Sequence, residues 1–292
     1  MNLLVWNCQG LGGPWTIQHL GSLIRDNNPS LVVLAETKCS TSRIEYLKRK
    51  FDMYGLCVPS RGKSGGLASL WPKQVNVLLQ SFSHHHIDVS VQLLDSPFWW
   101  RFTGLYGEPD TGQREITWKL LSRLHDQSRR AWFCAGDFNE ILDQSEKLGG
   151  PPRPMWQIRK FREALEQCEL VDLGFAGTPF TWLNRHSEPN TVYERLDRAC
   201  ANLGWSQLFP DTSIEHVPVN CSDHVDLVIC LMDKPQYAER SIRPWRFEAA
   251  WLQSEQCEGV VEEGWGSCLG SGEFLELQNR LNAVRLVLKN GG

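Results

Sequence analysis

Ser222-Asp223-His224 sets a carboxylate and an imidazole side by side, directly ahead of the strand-like run Val225-Asp226-Leu227-Val228-Ile229. Two adjacent ionisable groups in that place point to proton transfer or metal binding. Other polar residues stand in matching positions. Asn7 follows Leu3-Leu4-Val5-Trp6, and Glu36 follows Leu31-Val32-Val33-Leu34. Asp137 and Asn139 follow Trp132-Phe133-Cys134-Ala135, and Asp197 closes Glu194-Arg195-Leu196-Asp197. Each lies at or near the end of a buried-strand pattern, and strand ends of α/β sheets are where sites are assembled. The expectation is one shared site built from far-apart segments.

Each residue also has a plainer reading. Glu36 heads four apolar residues, and a buried carboxylate needs a metal or another cation; the alternative is a surface Glu at a strand end. Asp137 and Asn139 are i and i+2, hence on one face of an extended segment, with Phe138 turned into the core. A carboxylate that takes a proton and an amide that donates to an oxyanion suit hydrolysis, whereas an Asx turn would use the same residues structurally. Asp197 would face a histidine and fix its tautomer, or else pair with Arg195 or Arg198. Those flanking arginines are expected on the opposite face of the strand. His84-His85-His86 cannot all ligate one ion, because neighbours on a strand alternate faces, and they are expected at the surface. Most of the thirteen tryptophans belong to the core, with one or two free to stack on bases.

The elements that must position these groups follow from spacing. Residues 3–6 read as a strand, 16–27 as a helix (Ile17, Leu20, Leu23, Ile24) and 31–35 as the next strand, a β-α-β unit that delivers Asn7 and Glu36 to one edge. A polar helix covers about 41–50. Strand-like runs at about 53–58, 66–71, 75–82, 86–94 and 99–106 read as an antiparallel meander. Helices over 114–125 and 157–168 flank a strand at 131–136. Further strands are expected at about 179–184, 194–201 and 225–231. Two sheets face to face with helices outside is the arrangement that buries both.

The chain has 292 residues, 41% hydrophobic and 22% charged, enough to bury a large core. No apolar run reaches membrane-spanning length, and the N-terminus lacks a basic leader, so the expectation is an intracellular protein with no membrane partner. The ten scattered cysteines read as reduced core residues. Net charge is −4 and pI about 6.1, so a nucleic acid would be held transiently through a local basic face. The candidate clusters are Arg129-Arg130, Arg153 with Arg159, Lys160 and Arg162, and Arg240, Arg243 and Arg246. Taken singly, each reads first as a solvated face. After residue 232 the character shifts: 233–246 is a polar linker, and Phe247, Trp251, Phe274, Leu277, Leu281, Val284 and Leu288 form a partial helical set.

Taken together, Trp6-Asn7-Cys8-Gln9-Gly10, Leu34-Ala35-Glu36-Thr37-Lys38, Gly104-Leu105-Tyr106-Gly107, Gly136-Asp137-Phe138-Asn139-Glu140, Phe180-Thr181-Trp182, Glu194-Arg195-Leu196-Asp197-Arg198 and Ser222-Asp223-His224 resemble the endonuclease/exonuclease/phosphatase superfamily. Within it, the abasic-type endonuclease domain of plant LINE (non-LTR) retrotransposons is the nearest pattern. The resemblance implies a four-layer αββα sandwich over residues 1–232 and a divalent cation, Mg²⁺ with Mn²⁺ as a substitute. Carried over by position, Glu36 ligates the metal with help from Asp223, and Asp137 orients and deprotonates the attacking water. Asn7 and Asn139 position nucleophile and phosphate, Tyr106 and His224 contact the scissile phosphate, Asp197 holds His224, and Thr181 and Ser222 support from behind. Gln9 stands where abasic-site repair members carry Asp, which favours the retroelement pattern. The implied product is a DNA nick with a 3′-hydroxyl and a 5′-phosphate, used to prime a reverse transcriptase domain of a longer, nuclear element; residues 233–292 would lead towards that domain. Two other readings stay open: a phosphatase or phosphodiesterase of this fold acting on a small or lipid substrate, and a catalytically silent relic.

Overall fold

Continuous apolar runs such as Leu3-Leu4-Val5-Trp6, Leu31-Val32-Val33-Leu34 and Trp132-Phe133-Cys134-Ala135 form the central strands of two sheets and are buried on both faces. A computed structural model describes residues 1–231 apart from positions 63, 94, 95, 188 and 220, and beyond these only residues 259, 261 and 262. In chain order the elements are β1 (Asn2–Asn7), α1 (Pro14–Asn27), β2 (Leu31–Ala35), α2 (Thr41–Lys50), β3 (Tyr54–Val58), β4 (Leu67–Trp71), β5 (Val75–Ser83), β6 (His86–Leu93), β7 (Trp100–Tyr106), α3 (Glu115–Gln127), β8 (Trp132–Asp137), β9 (Lys147–Leu148), α4 (Met155–Gln167), β10 (Val171–Asp172), β11 (Ala176–Gly177), β12 (Trp182–Leu183), β13 (Tyr193–Glu194), β14 (Asp197–Ala201), α5 (Leu203–Leu208), β15 (Ser213–Val217) and β16 (Asp226–Cys230). The linker and partial helix expected over 233–292 lie, but for three positions, outside the described residues.

One sheet has seven strands in the order β11-β15-β16-β1-β2-β4-β3, the other six in the order β10-β14-β8-β7-β6-β5. Leu3, Val5, Leu31 and Val33 of the first sheet share a core with Phe102, Phe133, Ala135 and Ala199 of the second. The alternate residues Leu4, Trp6, Val32 and Leu34 pack outward with Leu20 and Leu23 of α1 and Ile44 and Leu47 of α2. The outer face of the six-stranded sheet (Leu105, Trp132, Cys134, Cys200) is covered by Leu121 and Leu124 of α3 and Phe161 and Leu165 of α4. Each large aliphatic or aromatic side chain among them contributes roughly 2 kcal/mol when fully buried, and the layers run helix, sheet, sheet, helix, as expected.

The β1-α1-β2 unit is present, opened by Pro14 in the first helical turn and closed by left-handed Asn28. The strands it joins are parallel, with Asn7 in register with Ala35. The single meander expected over 53–106 is instead two. β3 pairs with β4 in the first sheet, and β5, β6 and β7 pair antiparallel in the second. The chain changes sheet at Pro72-Lys73-Gln74, where Pro72 has no N–H to continue a ladder. The strand expected over 179–184 shrinks to β12, and that over 194–201 breaks at Arg195-Leu196. There β13 joins β12 and β9 in a small third sheet. No helix among the described residues is long and apolar enough to cross a membrane.

Candidate active site

Register places three polar residues in one row. Tyr106 at the end of β7, Asp137 at the end of β8 and Asp197 at the start of β14 are mutual Cα partners across neighbouring strands. β1 ends at Asn7 in the facing sheet, and the two sheet ends bring these side chains together. Asn7 Nδ2 donates to Asp137 Oδ2 at 2.9 Å and lies 3.3 Å from His224 Nε2 and 3.4 Å from Glu36 Oε1. Tyr106 OH donates to Glu36 Oε1 at 2.9 Å. His224 Nδ1 lies 2.7 Å from Asp197 Oδ2, and its Nε2 is 3.9 Å from Asp137 Oδ2. Asn7, Asp137, Asp197 and His224 are all at most 4% exposed, so these charges act on one another at low effective dielectric.

The supports come from outside the strands. Thr181 Oγ1 accepts the N–H groups of both Leu196 and Asp197 at 2.9 Å, fixing the break that turns Asp197 toward the histidine. Ser222 Oγ donates to Asn7 O at 2.7 Å and accepts from His224 N at 3.1 Å, tying the Ser222-Asp223-His224 loop to β1. Arg195 and Arg198 do not pair with Asp197. Both spend their guanidinium groups on Glu146 and Asp172. In an unbroken strand Arg195, at i−2, would share the face of Asp197; the interruption at Arg195-Leu196 is what sends it elsewhere.

Asn139 departs from the expected extended geometry. Its φ of 55° ends the strand at Asp137, so the two side chains do not share a strand face. Its backbone N–H donates to Asp137 Oδ1 at 2.8 Å and its Nδ2 to Gly107 O at 2.8 Å. The Asx-turn reading therefore describes the backbone here, and Asp137 receives one hydrogen bond on each oxygen. Asp223 sits at the rim. Its Oδ2 accepts from Gln9 Nε2 at 3.2 Å and from the Trp182 indole N–H at 3.1 Å. Trp182 is thus a tryptophan with a polar task, unmarked by its apolar sequence context.

Burial pushes the Asp137 carboxyl up, the charge of His224 pulls it down and that of Asp197 pushes it up again, leaving it at about 7. Burial presses the His224 imidazole down, but the carboxylates of Asp197 and Asp137 outweigh it and hold it at about 9. Burial and the charges of Glu36 and Asp137 push the Tyr106 phenol far up, so it remains a donor. Protonated His224 keeps one N–H on Asp197. The other, on Nε2, meets a donor amide on Asn7 and no acceptor within hydrogen-bond reach among the described residues, so it is available to an incoming oxygen.

Two groupings bear on a metal ion. Asp137, Asp197 and His224 bring ligand atoms within 4.8 Å of one another, near enough to hold one. Glu36 and Asp223 lie outside that group. Their oxygens suit a hard cation, and Asp223 Oδ1 is buried without a hydrogen-bond partner, an acceptor still owed a positive neighbour.

Outside the site several expectations change. His86 is not at the surface: it is buried between Ser81 Oγ (2.9 Å) and Ser83 Oγ (2.7 Å), and burial lowers it to about 4. Arg153 is no free cation, because Glu140 and Glu194 hold it. Arg162 pairs with Asp143, whereas Arg159 and Lys160 are exposed. Arg240, Arg243 and Arg246 lie outside the described residues.

A two-sheet sandwich with a carboxylate–imidazole relay between its strand ends defines a class of phosphoester hydrolases. The sequence model of the endonuclease/exonuclease/phosphatase family matches residues 4–224, and the chain belongs to that family. Its members are metal-dependent nucleases and phosphatases. Among solved structures, the chain is similar to the endonuclease domain of TRAS1, a telomere-specific non-LTR retrotransposon. That match has 13% identity over 79% of this chain and 97% of that one, with a TM-score of 0.60. It is also similar to the AP endonuclease LMAP from Leishmania major (16%, 80% and 88%, TM-score 0.61). A third is the 3′-5′ exonuclease NExo from Neisseria meningitidis (16%, 79% and 99%, TM-score 0.58). At these identities the likeness is one of fold. None of the curated proteins matches the chain.

Proposed function

We propose that the chain is a metal-dependent endonuclease that nicks DNA, leaving a 3′-hydroxyl and a 5′-phosphate, in the manner a non-LTR retroelement needs to prime reverse transcription. The observation that carries this reading is the convergence of Asn7, Tyr106, Asp137, Asp197 and His224 between the two sheet ends, with Glu36 bonded into the same network. Gln9, standing where abasic-site repair members carry Asp, favours the retroelement setting over repair, and a reverse transcriptase domain is the partner this setting implies.

The residues divide the work. Asp137, with its raised pKa and one hydrogen bond on each oxygen, takes the proton of the attacking water. Asn7 fixes Asp137 and orients the nucleophile, and Asn139 braces the same carboxylate through its backbone N–H. His224, held as imidazolium by Asp197, donates its Nε2–H to a non-bridging phosphate oxygen as negative charge gathers there. The Tyr106 hydroxyl gives a second donor beside Glu36. Glu36 and Asp223 are the groups that would hold Mg²⁺ or Mn²⁺, which when bound neutralises the phosphate and supplies Lewis acidity. DNA would be held transiently through a local basic face, since the chain as a whole is acidic.

The test is an incubation of supercoiled plasmid with Mg²⁺, with and without chelator, alongside inositol phosphates. Expected are relaxed circles in Mg²⁺ only, lost in Asp137→Asn and His224→Ala variants, with ends that a DNA polymerase extends without prior treatment. Phosphate release from inositol phosphates with plasmid intact would replace this reading with the small-substrate one. DNA binding without nicking would replace it with the silent relic.

A further inference from the structure

Four side chains at the rim form a chain of contacts that the proposed mechanism leaves unused. Gln9 Nε2 donates to Asp223 Oδ2 at 3.2 Å, Lys38 Nζ donates to Gln9 Oε1 at 2.5 Å, and the same Nζ lies 3.2 Å from Glu36 Oε2. The orientation of Gln9 is fixed by its neighbours, because an ammonium only donates and a carboxylate only accepts. The order is therefore carboxylate, amide, ammonium, carboxylate. One internal cation joins the two acids assigned to the metal.

The main chain aims Lys38 there. Its N–H is pinned to Gly65 O at 3.0 Å. Its stem lies across Gly10, where an added Cβ would come within 3.7 Å of Lys38 Cδ. Gln9, Glu36 and Lys38 all adopt left-handed backbone, with φ of 49°, 48° and 50°. Non-glycine residues rarely hold that conformation unless the surroundings demand it, and here it turns three side chains toward one another.

We propose that Lys38 is a displaceable internal counter-cation: Lys38 and the metal ion hold Glu36 in turn, and metal loading drives the ammonium out to the mouth of the cleft. This rests on the assignment of Glu36 to the metal above. The Lys38 side chain is 31% exposed, so it can leave without opening the core. A divalent cation and an ammonium on one carboxylate repel each other strongly in a partly buried site, so the two states exclude each other. Once out, Lys38 stays tethered at the rim by its backbone and can meet a phosphate of bound DNA. The apo protein keeps its rim acids compensated, and the metal binds more weakly than the acids alone would allow.

The experiment uses the full chain without DNA. Lysine acetylation of the wild type, read by peptide mass spectrometry, is compared with and without saturating Mg²⁺. Lys38 should become several-fold more reactive with metal, while exposed Lys119 stays unchanged. Calorimetric Mn²⁺ titration of wild type, Lys38→Met and Glu36→Gln follows. Lys38→Met should bind about tenfold tighter, the gain expected from removing a competing ion pair and a like charge. Lys38 labelling that ignores Mg²⁺, or affinity no higher in Lys38→Met, overturns the proposal even if Glu36→Gln abolishes binding. Binding that survives Glu36→Gln overturns the metal assignment itself. The labelling arm needs no variant to fold.

Discussion

Replacing Asp197 by Asn keeps the shape of the relay and removes its charge. His224 sits at about 9 against a reference of 6.5, a difference worth about 3 kcal/mol in favour of the imidazolium. Burial works against that form, so the carboxylates of Asp197 and Asp137 supply more than the net figure. Asp197 is the nearer, at 2.7 Å against 3.9 Å, and carries the larger share. In Asp197→Asn the His224 pKa should fall by well over one unit, to about 7 or below. Above pH 7.5 the imidazole would then be neutral and its Nε2 would no longer donate to the phosphate. Single-turnover nicking at pH 8 should drop by about 10²-fold or more, with DNA affinity little changed. Heteronuclear NMR titration of the imidazole measures the first quantity and quench-flow the second. A His224 that still titrates near 9 in the variant would refute the assignment of Asp197 as its counter-charge.

Three other outcomes are open to measurement. Nicking rate should climb as pH rises through about 7, where Asp137 loses its proton, and decline above about 9 as His224 loses its own; a flat profile from pH 5.5 to 8 would remove Asp137 as the base. Arg198, fully buried and paired with Asp172 and Glu146, should cost roughly 3–5 kcal/mol in urea unfolding when changed to Met, because two acids lose a partner in a buried setting; a loss below about 1 kcal/mol, the scale of an exposed pair, would contradict the burial argument. The same cluster sets acid stability. Burial raises Asp172, but Arg195 and Arg198 override it and hold it at about 2, against 3.8 for the free side chain. That stabilisation is present above about pH 4 and is lost as pH falls toward 2, so acid unfolding should begin in this window and move upward in Arg195→Met.

Much of this arrangement is legible in the sequence, for a physical reason. Strands buried on both faces write continuous apolar runs, and a polar residue that ends such a run, as Asn7, Glu36 and Asp137 do, has only the sheet edge to occupy. The two-sheet sandwich follows from the same runs. What spacing does not carry is contact at a distance. The runs over 179–184 and 194–201 read as longer strands, and β9 has only two residues and no periodicity, so the pairing of β12, β13 and β9 into the small sheet that presents Trp182 to Asp223 left no pattern. The sheet change at Pro72 looks like an ordinary turn. Asn139 is read as extended because alternation assumes strand backbone, whereas its φ is positive. Lys38 was visible only as part of a motif, since nothing in a lysine after Glu-Thr reveals that its ammonium folds back over the acid two positions earlier. The burial of His86 likewise depends on Ser81 and Ser83 across a hairpin, which a run of three histidines does not announce.

β1 lies in the interior of the seven-stranded sheet, and Met1, the residue before it, exchanges two hydrogen bonds with Leu231: Met1 N donates to Leu231 O at 2.9 Å and Leu231 N–H donates to Met1 O at 2.7 Å. The two ends of the described sandwich therefore meet, at the end of β1 opposite Asn7. A circularly permuted version, with Leu231 linked to Met1 and new termini opened in an exposed loop, should keep its cleft, whereas trimming a few residues from the start would pull a middle strand from the sheet.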